Sequence, residues 1–120
     1  MRMAGLRERT KTFALRIIRL YAALPNATLP QTLGRQVLRS STGVAANFRE
    51  ASRARSDAEF IAKLGIVEQE LDETQLWLEL LIESGAVREE QLASLKQETD
   101  ELLRITISSI KQSKAKSTPP

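Results

Sequence analysis

Apolar residues recur along this chain at the three- and four-residue spacing of a helix face, in four blocks parted by proline, glycine or a capping sequence. In the first block Leu6, Phe13, Ile17, Leu20, Tyr21 and Leu24 share one side, which predicts a helix from about Leu6 to Ala23. The helix should stop before Pro25, because the residue preceding a proline disfavours helical geometry. A loop over 25–29 follows, and Pro30 suits a first helical turn. Leu33, Val37, Val44, Phe48 and Ala51 then form the inward stripe of a second helix, from about Gln31 to Arg53.

Ser56-Asp57-Ala58-Glu59 reads as a capping box, with Ser56 accepting from a first-turn amide and Glu59 reaching back to the serine backbone. It opens a third helix that runs to about Glu83. Phe60, Leu64, Val67, Leu71, Leu78 and Ile82 make its inward stripe. Ile66, Trp77, Leu80 and Leu81 make a second apolar stripe, interleaved with Lys63, Glu70 and Glu73. Two apolar faces exceed what a minimal bundle core uses, so an interface between copies is expected. Glu68, Asp72, Glu79 and Glu83 remain as a solvated acidic face. Ser84-Gly85 ends the helix, and a fourth is predicted from about Arg88 to Lys111. Its inward positions are Leu92, Leu95, Leu102, Leu103, Thr106 and Ile110.

Four helices with short connections predict an all-α fold, an antiparallel up-down four-helix bundle. The bundle is expected over residues 1–112. The basic, proline-ended segment 113–120 is expected to be a disordered tail.

Composition narrows the chemistry. The 120 residues make one domain and contain neither cysteine nor histidine. Without them there is no disulfide, no thiolate nucleophile, no Ser–His pair and no zinc or Glu-x-x-His di-iron site. No cofactor is expected and no enzymatic activity. No apolar run approaches the ~20 residues of a membrane span, and the start lacks the apolar stretch of a secretory signal. A cytoplasmic protein is expected, with no membrane partner.

The net charge of +3 conceals segregation. Residues 1–55 hold 11 Lys/Arg against 2 Asp/Glu, residues 56–110 hold 4 against 13, and the last ten residues add 3 lysines. A basic half can serve an anionic partner or lie against the acidic half. Helical rotation of ~100° per residue puts Arg35, Arg39, Arg49 and Arg53 nearly opposite the second helix's core stripe. Each guanidinium offers a planar fork matched to phosphate oxygens. Arg9, Arg16 and Arg19 of the first helix and the lysine tail would extend that surface. Few aromatics are present, so base stacking is not expected and binding should follow the backbone or shape of RNA or DNA.

Gln36, Gly43, Asn47 and Glu50 flank the arginine face. Gly43 costs about 1 kcal/mol against alanine inside a helix, which a close helix approach would explain. Glu50, Glu70 and Glu73 are oxygen donors that could hold Mg²⁺ in a nucleotide hydrolase. Carboxylates tied up by hydrogen bonds or arginines are the ordinary alternative. Ser40, Ser41 and Thr42 lack a neighbouring base, and such hydroxyls bond back to the preceding turn.

Several of these motifs together resemble a known family. They are Leu38-Arg39-Ser40-Ser41-Thr42-Gly43-Val44-Ala45-Ala46-Asn47-Phe48-Arg49-Glu50-Ala51, then Arg53-Ala54-Arg55-Ser56, Glu59 to Leu64, and Asp72-Glu73-Thr74 with Trp77-Leu78. They resemble the bacterial four helix bundle proteins encoded in intervening sequences of 23S ribosomal RNA genes. Ser41-Thr42-Gly43 departs from the family's commoner Gly-Thr-Ser, which shifts the glycine. The resemblance implies an antiparallel bundle assembled as a homopentamer. It also implies likeness to the accessory protein of diversity-generating retroelements, which binds nucleic acid and assists a reverse transcriptase. The resemblance makes Asn47, Glu50 and Glu73 structural, setting helix register or subunit contacts, and Glu70 is read with them as a structural polar residue. The expected function is a non-catalytic, oligomeric nucleic-acid-binding accessory protein, with a structural adaptor or a Mg²⁺-dependent hydrolase as alternatives.

Overall fold

The computed structural model describes residues 5–117, all of them helical or in short connections. The helices are α1 (Leu6–Ala23), α2 (Thr28–Ser52), α3 (Asp57–Glu83) and α4 (Glu89–Ser117). Cross-helix contacts set the antiparallel order. Residue numbers fall on one helix as they rise on its partner, as in Arg39 to Glu73 and Glu50 to Lys63 between α2 and α3. The bundle is elongated, 55 × 21 × 21 Å. Of the helix pairs in contact, α1 and α4 meet least. The hydrogen bonds joining them are polar side-chain contacts, from Arg9 to Glu98 and Arg16 to Ser94.

The core is the four predicted stripes brought together. Phe13 and Ile17, Val37 and Val44, Phe60, Leu64, Leu71 and Leu78, and Leu92 and Leu102 are all buried. At ~1.5–3 kcal/mol for each large side chain removed from water, this set drives assembly. Leu20, Tyr21, Leu33, Ile82 and Leu103, expected inside, are half-buried at the core's margin. Leu81 belongs to the core rather than to the second stripe of α3, at 0% exposure, whereas Ile66 and Leu80 of that stripe are exposed. Burial follows angular position on the helix, and at ~100° per residue Leu81 lies nearer in rotation to the buried Thr74 and Val67 than to Ile66 or Leu80.

Local signals decide the helix ends. α2 starts at Thr28, three residues before its predicted start, with Pro30 inside the first turn where no N–H is needed. Ser56 caps α3 by accepting from the Glu59 amide at 3.0 Å. The return contact differs from a capping box: Glu59 accepts from the Arg55 backbone at 3.3 Å. Gly85 takes φ 83°, the left-handed region, and its N–H bonds the Ile82 carbonyl at 2.9 Å to close α3.

α4 overturns the expectation of a disordered tail from residue 113. The helix continues to Ser117, and Ser113 is buried one turn beyond Ile110. A helix that still has a packed side need not end, and Lys114 and Lys116 in its last turn suit the negative end of the helix dipole. Residues 118–120 of that tail, and 1–4 of the predicted bundle, lie outside the described residues.

Candidate nucleic-acid interface

Burial of Val37, Val44, Phe48 and Ala51 fixes the rotation of α2, and Arg35, Arg39, Arg49 and Arg53 are consequently all exposed. Arg35, Arg49 and Arg53 form no ion pair among the described residues. Arg39 differs from these three. Its Nη2 donates to Glu73 Oε1 at 2.9 Å, and its Nη1 lies 3.8 Å from Glu70 Oε1. The Arg39 side chain is 56% exposed and that of Glu73 40%, so their pairing contributes under about 1 kcal/mol. An anion can therefore compete for Arg39.

The α1 cations are divided. Arg9 faces α4, where it donates to both oxygens of Glu98 at 2.8 Å. Its hydrogen bonds hold the Glu98 carboxyl below the ordinary carboxylate value, against a smaller opposing effect of burial. Arg16 donates to Ser94 Oγ at 2.7 Å, also on the α4 side. These two do not extend the α2 face. Arg19 is exposed and carries no ion pair among the described residues.

The α1 cations that do meet α2 are Arg7 and Lys11, which sequence reasoning missed. With Arg49 and Arg53 they line a groove of about 500 Å³, together with Thr42, Ala45, Ala46 and Glu50. The signal was available in principle: a short connection between antiparallel helices places the start of α1 beside the end of α2.

Asn47, Glu50, Glu70 and Glu73, read as structural, all have intrachain seats. Asn47 donates to the Gly43 carbonyl at 2.9 Å, and Glu50 accepts from Lys63 at 2.7 Å. The Glu70 carboxylate sits where a Cβ on Gly43 would be. The close approach that Gly43 permits is thus by a side chain rather than by a helix backbone. Burial raises the Glu70 pKa, Glu73 adds to the rise, and Arg39 opposes it. Glu50 turns to Lys63 and not to Glu70 and Glu73. Among the described residues no group of three or more such ligands could hold a metal ion.

The hydroxyl cluster is structural in its contacts. Ser41 donates to the Leu38 carbonyl at 3.2 Å, and Thr42 to the Leu38 and Arg39 carbonyls at 2.8 and 3.0 Å. Ser40 Oγ lies 2.7 Å from Thr74 Oγ1 in the buried α2–α3 interface. Among the described residues no helix is long and apolar enough to cross a membrane.

Residues 6–108 match the model of a family described as 23S rRNA-intervening sequence protein. A crystal structure of a protein with unknown function from the S23 ribosomal protein family, from Bacteroides thetaiotaomicron VPI-5482, superposes with a TM-score of 0.83. The two are 38% identical, and the match covers 92% of this chain and 99% of that one. No protein of curated function matches the sequence.

Proposed function

We infer that this chain, which belongs to the 23S rRNA-intervening sequence protein family, is a non-catalytic accessory protein that binds nucleic acid through the basic face of α2. One observation carries the reading: Arg35, Arg49 and Arg53 stand exposed on a single helix face with no carboxylate partner among the described residues. Their attraction for a polyanion is electrostatic, so it releases counterions and depends on salt. RNA or a DNA–RNA hybrid is the expected ligand class, and a reverse transcriptase is the protein partner that the family resemblance suggests.

Titration of labelled RNA by fluorescence anisotropy at several salt concentrations tests this. Affinity should fall steeply with salt and be lost in Arg35→Glu/Arg49→Glu. Absence of binding at micromolar protein and low salt would favour the second reading, a structural adaptor. That reading draws on the Arg39–Glu73 pair, in which an arginine of this face is already taken by a carboxylate.

Self-association is part of the proposal. Leu15 and Ile18 of α1 and Ile66, Leu76 and Leu80 of α3 are exposed apolar side chains that a solitary bundle leaves in water. A ring of five copies is what the resemblance implies. Light scattering coupled to size exclusion measures the mass, and a monomer at micromolar concentration would refute assembly.

A further inference from the structure

The groove between the start of α1 and the end of α2 concentrates positive charge on two facing walls. Arg7 and Lys11, one helical turn apart, form one wall, and Arg49 and Arg53, likewise one turn apart, form the other. None of the four makes an ion pair among the described residues. Glu50 also lines the groove, but its carboxylate pairs with Lys63 of α3 at 2.7 Å and with none of these four cations. Like charges placed this way repel, and among the described residues no carboxylate pairs with any of them.

The rest of the lining discriminates between anionic partners. Its apolar side chains are Ala45 and Ala46, too small to anchor the large apolar residues of an acidic amphipathic peptide. No aromatic residue lines the groove, so bases have no stacking platform there. The Thr42 hydroxyl is already donating to its own helix, at 2.8 Å from the Leu38 carbonyl, which leaves the walls with cationic donors. A duplex is a stiff convex rod that would ride on the ridges of the two helices. A single strand is narrow and flexible enough to sink between them and set its phosphates against both walls.

We propose that this groove seats the sugar-phosphate backbone of a single-stranded nucleic acid, held by Arg7 and Lys11 from α1 and Arg49 and Arg53 from α2. The assignment rests on the nucleic-acid reading above and locates it on the molecule. Recognition through phosphates alone is indifferent to base sequence and treats single-stranded RNA and DNA alike.

The test compares the full chain with Arg7→Gln/Lys11→Gln, which empties one wall, and with Arg35→Gln/Arg39→Gln, which changes the α2 face outside the groove. Circular dichroism confirms that each variant is helical. Anisotropy is read with labelled oligouridylate, oligothymidylate, a duplex of equal length and polyglutamate. Oligouridylate and oligothymidylate should bind alike, and more tightly than the duplex or polyglutamate. Loss of both wall cations should weaken oligouridylate binding by about tenfold or more and reduce the logarithmic salt slope by about 1.4, at ~0.7 per phosphate contact on a single strand. Unchanged binding in Arg7→Gln/Lys11→Gln with a loss in Arg35→Gln/Arg39→Gln would overturn the groove and leave the broader reading standing. Preference for the duplex, or equal binding of polyglutamate, would overturn the single-strand assignment. No binding of any nucleic acid by the unaltered chain would remove the broader reading itself.

Discussion

The Glu70 carboxylate on α3 fills the notch that Gly43 leaves in α2, in the space a Cβ at that position would need. A glycine inside a helix costs about 1 kcal/mol against alanine, so this cost is coupled to one acidic side chain. The clashing atoms are at the flexible end of Glu70, which can swing outward. Gly43→Ala alone should therefore change stability little, because the gain in helix propensity is offset by displacing Glu70. In a Glu70→Ala background the same change should stabilise by about 1 kcal/mol. Urea unfolding of the four proteins measures the coupling, and equal effects in both backgrounds would refute it.

Burial, with the help of Glu73, raises the Glu70 pKa above the ordinary 4.5. The folded state then holds this proton to higher pH than the unfolded chain does. Glu70 thus weakens the fold as pH rises through and above the ordinary carboxylate value. Glu70→Gln removes that charge, so it should melt higher than the unaltered chain at neutral pH, and the difference should shrink as pH falls through the raised folded value towards 4.5. Thermal melts across the acid range decide this, and a pH-independent difference counts against it.

Glu98 should behave in the opposite sense. The hydrogen bond from Arg9 lowers its pKa, so the ion pair stabilises above the ordinary carboxylate value and is lost as pH falls through the lowered folded one. Glu98→Gln should cost about 1 kcal/mol at neutral pH, discounted for partial exposure of both side chains. At a pH low enough to protonate Glu98 in the folded chain the cost should vanish. Because α1 and α4 meet least of the helix pairs in contact, hydrogen exchange should show α1 opening more readily in this variant. Unchanged α1 protection would argue that apolar packing alone holds α1.

Ser40 and Thr74 form a buried hydroxyl pair with a definite direction. The Thr74 hydroxyl donates to the Glu70 carbonyl at 2.8 Å, so at 2.7 Å Ser40 is the donor and Thr74 the acceptor. Ser40→Ala should cost about 1 kcal/mol in chemical denaturation. Thr74→Val should cost more, since it strands the Ser40 donor on a long 3.4 Å contact with Val37. The reverse order of the two variants would contradict this polarity.

Much of this molecule can be read from residue spacing. The repeat of Phe60, Leu64, Val67, Leu71 and Leu78 predicts α3, and Ser56 and Gly85 mark its two ends. The exposure of Arg35, Arg49 and Arg53 follows from the same rotation that buries Val37 and Val44. Each of these depends on one helix at a time, with a period of ~3.6 residues that sequence displays directly.

Relations between helices required the tertiary structure. Arg39 pairs with Glu73 across 34 positions, Arg9 with Glu98 across 89, and Arg7 and Lys11 meet Arg49 and Arg53. The axial register of one helix against the next decides which charges face each other, and local periodicity carries no information on that register. The extension of α4 to Ser117 has the same origin, since Ser113 finds a packed site that the polar composition of the segment does not announce. Sequence by itself determined the helices and the faces they expose. Packing decided which cations were spent on carboxylates and which were left facing a groove, because ion pairs form by proximity in space and not along the chain.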